Sequence, residues 1–415
     1  MSTARSKSRS TGRTPGIVKP VLPATAEPDA RAAQKLVLAL MAIPGRSGEE
    51  GLVRQFIIDQ LRAAGAPASA IRGDQAHRHT PLKGEVGNLV LRLPGTIRGP
   101  RRLLMAHMDT VPLCAGAKPV VKGERVYSAV KQTGLGADDR AGCAVILTAA
   151  TEILRRKLPH PPLAFMWAVQ EEVGLFGARH ANLALLGQPK LAFNWDGGSA
   201  EKLTVGATGA YRLEITIDGI ASHAGGAPEQ GVSAIAIAGL AIAELQRGGW
   251  LGDVRKGNNR GTSNIGVIHG GAATNVVTDR VDLKAEARSH DPVFRRAIRD
   301  AIIDAFKKAA GEVRSVTGAA GKATCEHRQD YESFRLPEGD PSIAAAATAV
   351  AATGGKPFHF VSNGGLDANW LTARGIPTVT LGCGQLNAHM VTGQLDLAEF
   401  RRACRIALRL ATASE

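Results

Sequence analysis

His107 and Asp109 stand two residues apart where the apolar run Leu103-Leu104-Met105-Ala106 ends. In an extended chain residues i and i+2 point to the same side, so the pair shares one face as the strand leaves its sheet. Imidazole is a good ligand for a borderline-soft divalent ion. A carboxylate two residues on is placed to hold the ring or to stand behind it. A core histidine bonded to a nearby aspartate is the plainer reading of an isolated His-x-Asp. Other ligand-type clusters along the chain weigh against it.

Asp138 and Asp139 follow the glycine-rich Gly134-Leu135-Gly136 and precede a predicted helix from about residue 140 to 156. A carboxylate near a helix N-terminus is favoured by the dipole, so capping is the alternative role for either acid. Glu171 and Glu172 end the strand-like run Ala164–Val169, where the alternative is a solvated loop. Adjacent acids at a strand end can divide two tasks, one binding a metal and the other left free as a general base. Asp196 follows Leu191–Trp195 and precedes two glycines, and by itself would be a turn former. His223 lies in the loop Ser222-His223-Ala224-Gly225-Gly226, and His389 follows the strand-like Thr378–Leu381 and a short glycine-containing loop. Two imidazoles and several carboxylates, with no cysteine among them, suit a pair of zinc, cobalt or manganese ions. Such a pair, about 3.5–4 Å apart, can polarise a carbonyl and activate a bridging water.

These side chains need a frame. Most follow a strand or a glycine-rich loop, as a site above a parallel sheet requires. Helices are predicted from about residue 29, ended by Ile43-Pro44-Gly45, and after Ser47, which reads as the N-cap of a capping box closed by Glu50. Strands are predicted at 88–93 and 103–106. From about Ala207 the organisation changes. Tyr211–Ile217 alternates like a half-buried antiparallel strand, and a β-α-β-β-α-β order follows, with helices near 231–246 and 292–310 and strands near 262–268, 276–287 and 323–329. An Ala-rich helix at about 341–353, a loop at 363–369, a strand at 378–381 and a final amphipathic helix complete the chain.

Length and composition set the outer limits. At 415 residues two domains are expected, and 44% hydrophobic with 21% charged residues is the composition of a soluble globular protein. The net charge of +14 invites a nucleic-acid reading, but Arg5, Lys7, Arg9, Arg13 and Lys19 concentrate part of it in a Ser/Thr/Pro/Gly-rich start expected to be disordered. Aromatic content of 4% also argues against base stacking, so no nucleic-acid partner is expected. No run of about 18 apolar residues occurs, and no membrane span is expected. Five widely spaced cysteines without a C-x-x-C point to reduced thiols in the cytoplasm.

Collected in order, AHMDTVP, GLGADDRAG, QEEVGLFGA, DGG, SHAGGAPEQG, TNVVTDRV with EARS, and GGLDANW resemble the M20 metallopeptidases, especially their tripeptidase-like (peptidase T) branch, over residues 30–415. The resemblance implies a zinc-exopeptidase-like catalytic α/β domain (29–206 and 331–415) interrupted by a smaller α+β lid and dimerisation domain (207–330), after a basic tail (1–28). It implies two divalent ions, zinc first, with Asp138 bridging them, His107 and Asp196 on one, and Glu172 and His389 on the other. Asp109 would orient His107, Glu171 would be the general base, and His223 would enter a neighbouring site across a homodimer to stabilise the oxyanion. Asn275 and Arg288 would bind the far end of the substrate. The implied reaction is hydrolysis of di- or tripeptides, with N-acyl amino acid deacylation or carboxypeptidase action as the alternatives and a non-catalytic binding protein on the same fold behind them. Two departures stand out: Arg140 replaces a usual lysine, and His389-Met390-Val391-Thr392-Gly393-Gln394 replaces His-Thr-x-x-Glu. The second implies altered specificity with activity retained.

Overall fold

All six residues of the strand Arg102–His107 are buried, and the strand lies inside a nine-stranded mixed sheet. The computed structural model describes residues 27–412, so most of the predicted basic tail lies outside the described residues. Leu163–Ala168 and Leu191–Trp195 flank the central strand in parallel, and Thr378–Leu381 lies parallel beyond Leu191–Trp195. Leu89–Leu93, Ile71–Gly73 and Lys202–Ala207 add antiparallel neighbours at the two sides. Side chains alternate between two cores. Leu104, Ala106, Phe165, Trp167, Phe193 and Trp195 face one, while Leu103, Met105, Ala164, Met166 and Ala192 face the other. Strands buried on both faces read as continuous apolar runs, which is why these were visible in the sequence.

Helices Ala30–Ala42, Gly51–Ala63, Ala137–Arg156, Pro341–Ala351 and Leu397–Thr412 contribute their buried faces to the first core. Asp29 caps the first of these by accepting the N–H groups of Arg31 and Ala32. The capping box expected at Ser47 and Glu50 does not form. Helix Gly51–Ala63 has no side-chain cap, because the Ser47 hydroxyl donates to Asp109 at 2.6 Å and the buried Glu50 carboxylate takes the N–H groups of Gly48 and Gln170. Both residues serve long-range contacts instead.

A second, five-stranded antiparallel sheet runs in the order Gly252–Lys256, Asn259–Gly270, Arg280–Ser289, Gly209–Asp218, Lys322–Tyr331. Helices Ala234–Arg247 and Pro292–Glu312 close its core, their N-termini capped by Ser233 and Asp291. The order is β-α-β-β-β-α-β, one strand more than the sequence suggested. The additional strand, Gly252–Lys256, forms a hairpin with its successor through Gly257-Asn258. Gly257 adopts φ +58°, a backbone conformation that a two-residue hairpin turn requires and glycine supplies without strain.

A small four-stranded sheet pairs Gln385–Leu386 with Gln394–Asp396, and the latter with Arg125–Ser128. The connection from Asn387 to Gly393 is thereby held as a loop, and it carries His389.

Candidate metal centre

The parallel strands deliver their ends to one place. His107 closes its strand, the Glu171-Glu172 pair lies just beyond Leu163–Ala168, and Asp196 directly follows Leu191–Trp195. Asp138 stands at the start of helix Ala137–Arg156, where it and Asp139 have non-helical backbone angles joined by a cis peptide. His389 arrives from the 387–393 loop with φ +61°, in the left-handed region where histidine is one of the tolerated residues.

The distances are those of a ligand cluster. His107 Nε2 lies 3.2 Å from Asp138 Oδ1 and 3.9 Å from Glu171 Oε2. His389 Nε2 lies 3.2 Å from Asp138 Oδ2 and 2.8 Å from Glu172 Oε2. Asp138 therefore stands between the two imidazoles. Within the cluster, ligand atoms of His107, Asp138 and Glu172 fall within 4.8 Å of one another, as do those of His107, Glu171 and Asp196.

A surrounding layer fixes these groups. Asp109, fully buried, lies 3.3 Å from His107 Nδ1 and accepts the backbone N–H groups of Glu171 and Glu172 at 3.0 and 3.2 Å. Asp139 turns away from the cluster. Its carboxylate accepts from the His107 N–H, the Gly142 N–H and the Gln385 amide. A Cβ on Gly142 would collide with Asp139 and the Trp195 carbonyl, so a glycine is needed there. The Cys143 thiol donates to the His107 carbonyl at 2.9 Å.

Crowded carboxylates shift one another. Burial, then the Asp138 charge, pushes Asp196 up to about 7. Burial lifts Glu171 well above the ordinary carboxylate range, against the pull of His107 and with Asp196 and Asp367 adding to the rise. Glu172 is raised by burial, with the His389 hydrogen bond opposing. Burial would raise Asp138 too, but His107 and His389 hold it below its usual value. His389 is lifted to about 10 by its hydrogen bonds to Asp138 and Glu172. Burial opposes charge on His107, yet Glu171, Asp109 and Asp138 outweigh it and raise the ring well above its ordinary value.

The cluster fits divalent cations. Glu172 Oε1 is a buried oxygen without a hydrogen-bond partner among the described residues. Buried acceptors left in that condition are costly unless a cation or donor meets them. Four carboxylates and two imidazoles, all oxygen and nitrogen donors, are the set expected for zinc, cobalt or manganese.

Comparison with known proteins decides the family. The sequence profile of peptidase family M20/M25/M40 matches residues 103–413. The chain belongs to that family. This M20 chain superimposes on a tripeptidase from Staphylococcus aureus Mu50 with a TM-score of 0.83 and 31% identity, covering 93% of this chain and 99% of that one. An aminopeptidase PepT from Bacillus cereus matches with a TM-score of 0.79 and 30% identity over 93% of this chain and 98% of that one. Bacillus subtilis YqjE, an uncharacterized protein, is 33% identical over 325 residues, which is 78% of this chain and 84% of the relative.

Three residues that the sequence assigned to the M20 site are not joined to the cluster within the chain. His223 is exposed in the strand pair Ser222–His223 with Val276–Val277, and its Nδ1 accepts the N–H groups of Gly225 and Gly226. Asn275 is exposed, and its carbonyl accepts the Ala224 N–H. Arg288 forms a two-pronged pair with Glu286 on the same strand.

One acid at the site escaped the sequence reading. Asp367, read as part of a loop, is the first residue of helix Asp367–Ala373, is 1% exposed, and has both carboxylate oxygens buried without a partner among the described residues. Burial pushes it up to about 7, with Asp109 and Asp196 among the charges that act on it. The GGLDANW stretch by itself reads as a loop with a helix-capping acid, and only its packing near the cluster buries the carboxylate.

Proposed function

We propose that this chain hydrolyses short peptides, as a di- or tripeptidase of the aminopeptidase type, at two divalent ions with zinc as the first choice. The observation that carries the reading is the position of Asp138 between His107 and His389, with Glu172, Glu171 and Asp196 around it. The near full-length likeness to a tripeptidase and an aminopeptidase PepT supports the peptide substrate.

In this reading Asp138 would serve both ions, with His107 and Asp196 holding one and Glu172 and His389 the other. The ions, when bound, polarise the scissile carbonyl and lower the pKa of water. Asp109 holds the His107 ring. Glu171 accepts the proton of the attacking water and passes it to the leaving nitrogen, a task suited to a carboxylate whose affinity for protons is raised by burial. His223 acts on the oxyanion of a second copy in a homodimer, which accounts for its separation from the cluster in its own chain. Asn275 and Arg288 bind the far end of the substrate. Five free cysteines accord with a reducing, cytoplasmic setting.

The test is hydrolysis of a panel of dipeptides, tripeptides and N-acyl amino acids with added zinc, cobalt or manganese and a chelator control. Chelator-sensitive release of residues from free-amino peptides is expected. Preference for N-acyl substrates would move the reading to a deacylase, and no turnover with two ions bound per chain would sink it.

A further inference from the structure

The edge of the nine-stranded sheet carries a second concave site. Strand Ile71–Gly73 pairs with Leu89–Leu93 so that Arg72 stands opposite Val90. On the face shared by Arg72, Val90 and Arg92, a cavity of about 600 Å³ is lined by those residues with Ala70, Arg101 and Leu185. Its volume lies in the range of small-molecule pockets. Three arginines line it and no acidic residue does.

Those three arginines touch only backbone oxygens. Arg72 Nε donates to the Ser69 carbonyl at 3.1 Å, Arg92 Nη1 reaches the Ala184 carbonyl at 3.5 Å, and Arg101 Nη1 donates to the Leu163 carbonyl at 3.1 Å. None has an ion-pair partner among the described residues. On the second sheet and its helix, by contrast, Arg212, Arg255, Arg260, Arg280, Arg288 and Arg295 each pair with a carboxylate. Arg101 is also held in place. Gly187, at φ +70°, leaves room for it, and a Cβ there would come within 2.9 Å of Arg101 Nε.

A smaller cavity of about 330 Å³ shares Gly73 and adds Arg54, His77 and Arg78. Arg54 Nε and His77 Nδ1 are buried without a partner among the described residues. The acids of this second cavity are engaged. Glu85 takes the Gly51 N–H, and Asp74 takes N–H groups of Ala76, Asn88 and Asn182. A Cβ on Gly73 would collide with the Arg54 guanidinium.

Clustered like charges are unfavourable without a counter-charge, and guanidinium forks match phosphate oxygens in pairs. One guanidinium satisfies a carboxylate, whereas three suit the oxygens and double charge of a phosphoryl group. The remaining wall includes Ala70, Pro94 and Leu185, which offer apolar surface to a ring beside Ser69 and Gly73, whereas Val90 is almost wholly buried. We propose that this cavity binds a phosphorylated small molecule of the nucleotide class, its phosphates on Arg72, Arg92 and Arg101 and its base against Pro94 and Leu185. The proposal is independent of the hydrolytic reading.

Calorimetric titration of the full, metal-loaded chain with ATP, pyrophosphate and adenosine tests it. One ATP per chain is expected, bound more tightly than pyrophosphate, with adenosine weakest and affinity falling as salt rises. The double variant Arg72→Ser/Arg92→Ser, at two exposed positions, should weaken ATP by at least about tenfold. Its melting temperature and peptide hydrolysis should not change, and Arg255→Ser on the other sheet should bind like the parent. ATP binding that survives in the double variant, as it would if the metal centre took the phosphates, overturns the assignment. So does pyrophosphate binding as tightly as ATP, or retention of duplex DNA with no ATP bound.

Discussion

Asp109 accepts the backbone N–H of Glu171 across the gap between two parallel strand ends, at 3.0 Å. The same carboxylate takes the Glu172 N–H and the Ser47 hydroxyl, and its other contact is the His107 ring. One buried side chain thus sets the position of a proposed ligand, the proposed base and the segment between them. Asp109→Asn keeps the shape but turns an NH₂ group toward donors. Loss of such a supporting group typically costs 10–100-fold in metal affinity, and about that is expected here. Equilibrium zinc titration of the variant checks it, and parental affinity would remove Asp109 from the role.

The metal-free protein should become less stable as pH rises from 5 to 8. Asp196, Asp367 and Glu50 are each pushed up to about 7, in every case by burial first, and His389 is lifted to about 10 by Asp138 and Glu172. The folded chain keeps protons that the unfolded chain releases from about pH 4 at carboxylates and about 6.5 at histidines. Stability contributed by such groups is full below those values and is lost as pH climbs through the folded-state ones. Asp109 and Asp138, held low by their histidine partners against burial, work in the opposite sense but only below about pH 4. His77, His160 and His180, lowered by burial, oppose the trend as pH rises toward about 6.5 and are outnumbered by the raised groups. Thermal midpoints in chelator should therefore fall across pH 5, 6, 7 and 8, and added metal should flatten the trend because ligands bind deprotonated. A metal-free midpoint that climbs over this range would contradict the charge distribution described for the cluster.

Three of the clustered groups were legible because each interrupts a strong local pattern. His107, Glu171 and Asp196 end apolar strands, and an acid or imidazole at that point has few structural uses. Ser47 and Glu50 misled for the same local reason. Their spacing fits a capping box, but Asp109 and Gln170, distant in sequence, claim the two side chains. Strand Gly252–Lys256 was missed because Val254 is its only buried residue, leaving no alternation to read. Asp367 fell within a predicted loop, and the structure instead places it at a buried helix start near the cluster. What escaped was information held by partners far along the chain.

The separation of His223 from its own chain's cluster leads to a test that uses two inactive proteins. If His223 serves the second copy of a dimer, a His223→Ala chain still offers a complete Glu171 site, and a Glu171→Gln chain still offers its His223. Each variant alone should lose activity, Glu171→Gln by about 10²–10⁴-fold if the carboxylate is the general base. Both should retain their metal. In an equimolar mixture allowed to exchange subunits, half of the two-fold dimers are mixed, and each mixed dimer holds one site with both groups intact. Activity should recover to about a quarter of the parent's per chain. Crosslinking the dimers before mixing should abolish the recovery. If the mixture shows only the sum of the two residual activities while mixed dimers are present, His223 does not act across the subunit boundary, and its place in the loop with Gly225 and Gly226 is structural.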